Sequence, residues 1–292
     1  LACIAIQANQ NEMHGGQSVP NFDYSMAPGV AKTYIKEYYD ALAQSLEVRL
    51  GISYADACAI AKNIKKELPD PTLSNADAFE AELCKWFTQA DDKFGLDGKV
   101  LVAAHKNAAE TALASTDKAT FQAMEALVHN LNTMNSRAGA QVPFSSVNYG
   151  TDTSPEGRMV MKNLLLATDN GLGNGETPIF PVQIFKVKEG INYNPEDPNY
   201  DLFRLAIKTS AKRLFPNFSF IDAPFNLEYY KPGDYNTEVA YMGCRTRVMG
   251  NVYDPTKEVT CGRGNLSFTS INLPRLGIEA HGDIDKFYKS LD

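Results

Sequence analysis

The spacing of apolar residues changes period once along this chain, near Gln141, and that change limits the possible folds more than any other feature. Before it, apolar side chains recur every three to four residues, which places them on one stripe of a helix. VAKTYIKEYYDALAQSLEVRLG predicts a helix ending at Gly51, and SYADACAIAKNIKKELPDP one that starts from Ser53 and stops before Pro69. SNADAFEAELCKWFTQADDKFG repeats the arrangement, with Ser74 as cap and Gly95 as stop. STDKATFQAMEALVHNLNTMNSRAG carries the most regular stripe, Phe121, Met124, Leu127, Val128 and Leu131, with His129 on its surface side.

After Gln141 the pattern alternates. QVPFSSVNYG, TPIFPVQIFKVK and NFSFIDA read as strands. PEGRMVMKNLLLATDNG, with Pro155 in its first turn, and DPNYDLFRLAIKTSAKRLF read as helices between them. Strands separated by helices of this length predict parallel pairing and an α/β sheet covered by helices. An open sheet and a barrel both satisfy that pattern. EVAYMGCRTRVMGN and NLSFTSINLPRLGIEA read as further strands, and NYNPEDPNYD and YKPGDYN as surface turns. The expected organisation is one domain with a mainly helical part, 1–140, and an α/β part, 141–292. Opening at Leu1 within an amphipathic segment, the chain reads as a piece of a longer protein.

Composition removes several function classes. A net charge of −7 opposes general nucleic-acid binding, which needs cations to displace phosphate counterions. No run approaches the ~18 apolar residues of a membrane span. The five cysteines are widely spaced without a C-x-x-C, and the four histidines are scattered. Reduced thiols in a cytoplasmic protein fit this usage, and no metal site is expected in the chain.

Three motifs invite a chemical reading. DNGLGNGE has alternating glycines but follows a helix, so it reads as a loop and not as a dinucleotide-binding turn. TDTSPEGR enters a helix through small hydroxyl residues; Ser154 is either a plain cap or part of a phosphate site. EMHGGQSVPNFD, with His14, Gln17 and Ser18, is either a turn between helices or a close approach to a ligand. Cys244 is the harder case. On a strand it shares a face with Ala240, Met242, Thr246 and Val248, which suits a core residue. Arg245 and Arg247 point the other way, so they do not activate a thiolate. Asn265, flanked by Gly264, would bring an amide near the sulfur if its strand were the neighbour.

Four blocks together, NQNEMHGGQSVPNFDYSMAPGV, VPFSSVNYGTDTSPEGRMVMKNLLLATDNGLGNGETPIFPVQIFKVKEGIN, MGCRTRV and RGNLSFTSINLPRLGIEA, resemble the anaerobic, class III, glycyl-radical ribonucleoside-triphosphate reductases, in family order along the whole chain. The resemblance implies part of a ten-stranded α/β barrel with a helical N-terminal half and a finger loop bearing the radical cysteine. Cys244 takes that position, as a thiyl radical that abstracts the 3′ hydrogen of ribose, and Asn265 matches the asparagine that binds the ribose hydroxyls. Candidate substrate contacts are His14, Gln17, Ser18, Ser145, Ser146, Asn148 and Ser154. Cys3 does not match the family's second active-site cysteine, and no R-x-x-G-Y block is present. No cofactor is expected within this chain. The intact enzyme is implied to use a glycyl radical, formate or a thiol reductant, and a structural zinc. Implied partners are a ribonucleoside triphosphate, deoxynucleotide and ATP effectors, a radical-SAM iron–sulfur activase and a second copy in a homodimer. Other glycyl-radical enzymes, such as formate lyases and diol dehydratases, share the barrel, and a non-catalytic dimerisation piece is a third reading.

Overall fold

A computed structural model describes the chain except residues 14, 95–96, 136–140, 244–245, 252, 255, 258 and 265–268; of residues 90–94 only the backbone is described. Helix α1 (Ala2–Glu12) leads into strand β1 (Gln17–Val19) and the long helix α2 (Phe22–Leu50). Helices α3 (Tyr54–Glu67), α4 (Ala76–Phe94) and α5 (Gly98–Thr133) complete the helical half. Then strands and helices alternate: β2 (Ser145–Tyr149), α6 (Pro155–Asn170), β3 (Val182–Val187), α7 (Tyr200–Arg213) and β4 (Asn217–Phe220). Short strands β5 (Ala240–Met242) and β6 (Thr246–Val248) and helices α8 (Leu273–Ala280) and α9 (Ile284–Leu291) follow. No helix among the described residues is long and apolar enough to cross a membrane.

Strands β1 to β4 form one sheet in sequence order, every pair parallel, as alternation with helices requires. The core divides in two. Val147, Tyr149 and Phe185 of the sheet pack with Leu164 and Leu165 of α6 and with Leu127 and Leu131 of α5. Tyr38, Leu42 and Leu46 of α2 pack with Phe79, Leu83 and Leu101 in the helical half. The predicted caps hold at α3, where Ser53 accepts from the Asp56 amide, and at the end of α2, where Gly51 adopts the left-handed conformation at φ 63°.

Four local expectations change. The turn predicted in EMHGGQSVPNFD contains β1, whose Gln17 amide donates to the Phe144 carbonyl at 2.8 Å. Three residues are too few to show strand alternation. Ser74 gives its amide (3.0 Å) and its hydroxyl to the Glu156 carboxylate, tying the start of α4 to the first turn of α6. EVAYMGCRTRVMGN is not one strand: β5 and β6 pair antiparallel, Ala240 opposite Val248 and Met242 opposite Thr246, so these four residues still share one face of the ribbon although the chain reverses between them. The end of NLSFTSINLPRLGIEA is helix α8, because Asn272 accepts from the Arg275 amide and Pro274 occupies the first turn.

The second core contains one titratable switch. His105 is buried, and its Nδ1 lies 2.9 Å from the Tyr38 hydroxyl. Burial pushes its pKa below the ordinary value of 6.5, with Lys106 adding to the effect and Glu80 opposing it. The neutral ring therefore contributes stability that is complete above about pH 6.5 and is lost as the pH falls through the depressed value. The melting temperature is expected to drop between about pH 7 and pH 5. His105→Gln should flatten that dependence; an unchanged profile would remove His105 as its source.

Candidate active site

Along β2 the residues alternate between two environments. Val147 and Tyr149 enter the core against the helices, so Ser146 and Asn148 turn to the other face. Register extends that face sideways. Ser18 stands beside Ser146, Asn148 beside Ile184, and Lys186 beside Ser219. The result is a buried sheet face on which Ser18, Ser146, Asn148, Lys186 and Ser219 stand among the apolar Val182 and Ile184, and each polar group there needs a partner.

The segment from Glu238 to Gly243 supplies those partners. The Tyr241 carbonyl accepts from Ser18 Oγ at 2.7 Å, Asn148 Nδ2 at 2.9 Å and Ser146 Oγ at 3.4 Å. The Tyr241 amide donates back to Asn148 Oδ1 at 2.8 Å. The Gly243 amide donates to Ser146 Oγ at 3.0 Å, and Ser219 Oγ lies 3.2 Å from the Tyr241 hydroxyl. Close approach accompanies this seating. A Cβ on Gly16 would lie 2.9 Å from the Cα of Gly243, so no side chain fits there.

Glu238 anchors the start of the segment. Its carboxylate lies 3.2 Å from Lys186 Nζ and 3.5 Å from Lys188 Nζ, and accepts from Thr151 Oγ1 at 2.8 Å. Lys186 and Glu238 are 1% and 3% exposed, so this is an ion pair in a low-dielectric setting. Lys186 also donates to Asn21 Oδ1 at 2.7 Å. Close by, Asp23 accepts from the amides of Gly150 (2.8 Å), Thr151 (3.1 Å) and Asp152 (3.1 Å). Burial pushes the Asp23 carboxyl up, while the Lys186 charge and these amides pull it down. Gly150 makes this turn at φ 139°, and a Cβ there would lie 2.5 Å from the Lys186 carbonyl oxygen. A cavity of about 170 Å³ opens beside β5, lined by Asn9, Gln17, Ser18, Tyr241, Met242 and Arg263 among others.

Cys244, Asn265 and His14 lie outside the described residues. Ser18, Ser146 and Asn148 converge on Tyr241. Gln17 reaches the cavity, and its Oε1 accepts from Asn9 Nδ2 at 2.6 Å. Ser145 lies on the opposite face, fully buried, with no hydrogen-bond partner for its hydroxyl among the described residues. Ser154 caps α6 by accepting from the Gly157 amide at 3.1 Å. Sequence reasoning missed Asp23, Lys186 and Glu238. The one available signal was a lysine inside the apolar run VQIFKV, a position that demands a buried partner.

Comparison with known proteins agrees with the four blocks. A family model described as anaerobic ribonucleoside-triphosphate reductase matches residues 1–292. The protein of that name from Haemophilus influenzae is 35% identical over 182 residues, 62% of this chain and 24% of the relative. Its counterpart from Escherichia coli (strain K12) is 34% identical over 61% of this chain and 24% of the relative. That of Enterobacteria phage T4 is 34% identical over 58% and 27%. The chain thus spans about a quarter of the length of the curated relatives it matches.

Proposed function

This chain belongs to the family of anaerobic ribonucleoside-triphosphate reductases, and from that membership we propose that it forms part of the catalytic core of an enzyme that reduces ribonucleoside triphosphates to deoxyribonucleoside triphosphates. The parallel sheet is one side of a ten-stranded barrel, and the segment from Glu238 to Gly243 is the stem of the finger loop inside it. Cys244, the next residue, carries a thiyl radical. Its sulfur takes the hydrogen atom from C3′ of the ribose, forming an S–H bond and leaving the unpaired electron on C3′. Asn265 holds the ribose hydroxyls; an amide can both donate and accept without acting as a base.

The observation that carries this reading is the seating of the segment. Residues 238 to 243 are fixed by side chains from β1, β2, β3 and β4 at once. A radical centre needs such rigid walls, because water and stray hydrogen donors would quench it. Gln17 lines the adjoining cavity and Ser154 heads α6; both remain candidate substrate contacts with His14, whereas Ser145, buried on the opposite face, does not reach this site.

The remaining parts belong to the intact enzyme. A glycyl radical would supply the unpaired electron after reaction with a radical-SAM activase, and formate or a thiol would supply the reducing equivalents. Deoxynucleotide and ATP effectors, and a second copy in a homodimer, would act on the helical half, in the cytoplasm. Among the described residues no group of three or more His, Cys, Asp or Glu could hold a metal ion, and the structural zinc of the intact enzyme would be held by other residues.

The test is product formation. The full-length enzyme carrying this chain, activated without oxygen and given ribonucleoside triphosphate with formate or dithiol, should release deoxynucleotide. Turnover of pyruvate with coenzyme A, or of a diol, in its place would assign the chain to another glycyl-radical chemistry.

A further inference from the structure

We propose that Asn148 is a positioning residue for the radical cysteine: its side-chain amide stands in for a strand partner of Tyr241 and fixes the register of the segment that runs into Cys244. The inference rests on the thiyl-radical reading above. It reassigns Asn148 and Ser146, expected to contact substrate, to the loop itself.

The geometry is that of a two-point peptide pairing. Asn148 Oδ1 accepts from the Tyr241 amide at 2.8 Å, and Asn148 Nδ2 donates to the Tyr241 carbonyl at 2.9 Å. One residue of an antiparallel pair exchanges the same two bonds with its partner. Here the donor and acceptor belong to a side chain because β2 already uses its own backbone to pair with β1 and β3. Asn148 is itself held: Nδ2 also lies 3.0 Å from Ser18 Oγ, and the residue has no exposed surface. Ser146 makes the next tie along the segment, accepting from the Gly243 amide at 3.0 Å. Two consecutive same-face residues of β2 therefore fix residues 241 and 243. A slip by one residue would break both contacts and displace the following residue by ~3.3 Å along the segment. Hydrogen transfer tolerates far less, since a misplacement of about 1 Å costs on the order of 100-fold in rate.

The experiment uses the full-length, activated enzyme. Asn148→Ala should lower kcat about 100-fold, while KM for the nucleotide and the glycyl-radical signal stay within about twofold. Ser146→Ala, which frees the Gly243 amide and removes a hydroxyl shared between the Tyr241 and Gln17 carbonyls, should lower kcat about tenfold at unchanged KM. Should Asn148→Ala fail to fold, Ser146→Ala decides by the same split. A raised KM with unchanged kcat makes these residues ligand contacts and overturns the assignment. Cys244→Ala, assayed in parallel, separates the two levels. If it is inactive while both other variants turn over at the parent rate, positioning alone is wrong. If it remains active, the thiyl reading falls, and this inference with it.

Discussion

Cys244→Ala in the full-length enzyme is expected to abolish deoxynucleotide formation, by on the order of 10⁴-fold or more, and to leave the glycyl-radical signal at its parent level. On the proposed mechanism the Cys244 sulfur is the atom that exchanges hydrogen with C3′, and alanine offers no bond weak enough to do so. Radical storage would, on that mechanism, lie on a different residue and be loaded by a separate protein, so it would not need the thiol. The substitution changes one side chain after Gly243, whose amide is already held by Ser146. The measurement pairs product analysis with electron paramagnetic resonance of the same sample. Deoxynucleotide release at the parent rate would sink the assignment of Cys244.

The second large effect falls on stability. Glu238→Ala is expected to destabilise the protein by about 3–5 kcal/mol, because it leaves Lys186 buried without its counter-ion. Lys186 keeps the Asn21 amide oxygen at 2.7 Å and the more distant charge of Asp23, and Thr151 loses the acceptor for its hydroxyl. A loss of this size is a large fraction of the ~5–15 kcal/mol that holds a typical domain. The pair as a whole is another matter. Desolvating two charges consumes most of their attraction, so replacing both by apolar residues of similar size should recover most of the loss. Urea unfolding of Glu238→Ala and of the double variant Lys186→Met with Glu238→Leu tests this. A single variant within about 0.5 kcal/mol of the parent would mean the ion pair is not stabilising. A double variant as unstable as the single one would mean that shape, not charge, holds the segment.

These residues also mark the limit of what could be read from the chain. Long periodic helices and the strand–helix alternation after Gln141 were legible, because burial on one stripe or one face leaves a repeating signature. β1 was not: three residues carry too little pattern, and its partner lies more than a hundred positions away in β2. The division of EVAYMGCRTRVMGN into two strands was hidden because alternation continues across the break, while only pairing reveals the reversal. Ser18, Ser146 and Asn148 were found as polar residues in recognisable blocks, but not what they bind. Their partner, Tyr241, offers its backbone, which has no sequence signature. The Lys186–Glu238 pair is non-local in the same way, joining two segments 52 positions apart.

The seating of Tyr241 has a kinetic consequence. Its contact with Ser18 joins residues separated by 223 positions, so closing it confines most of the chain at once. The helices and the β2–β3–β4 alternation rest on much more local contacts and can form before that closure. The stem of the finger therefore docks late in folding, onto a sheet whose polar face has already been assembled. For the same reason it is the part most readily released without loss of the core: its amides should exchange with solvent hydrogen well before those of β2 and β3. On the proposed function the reactive centre would thus be built on the last structure to arrive, and an incompletely folded chain would present no seated radical site.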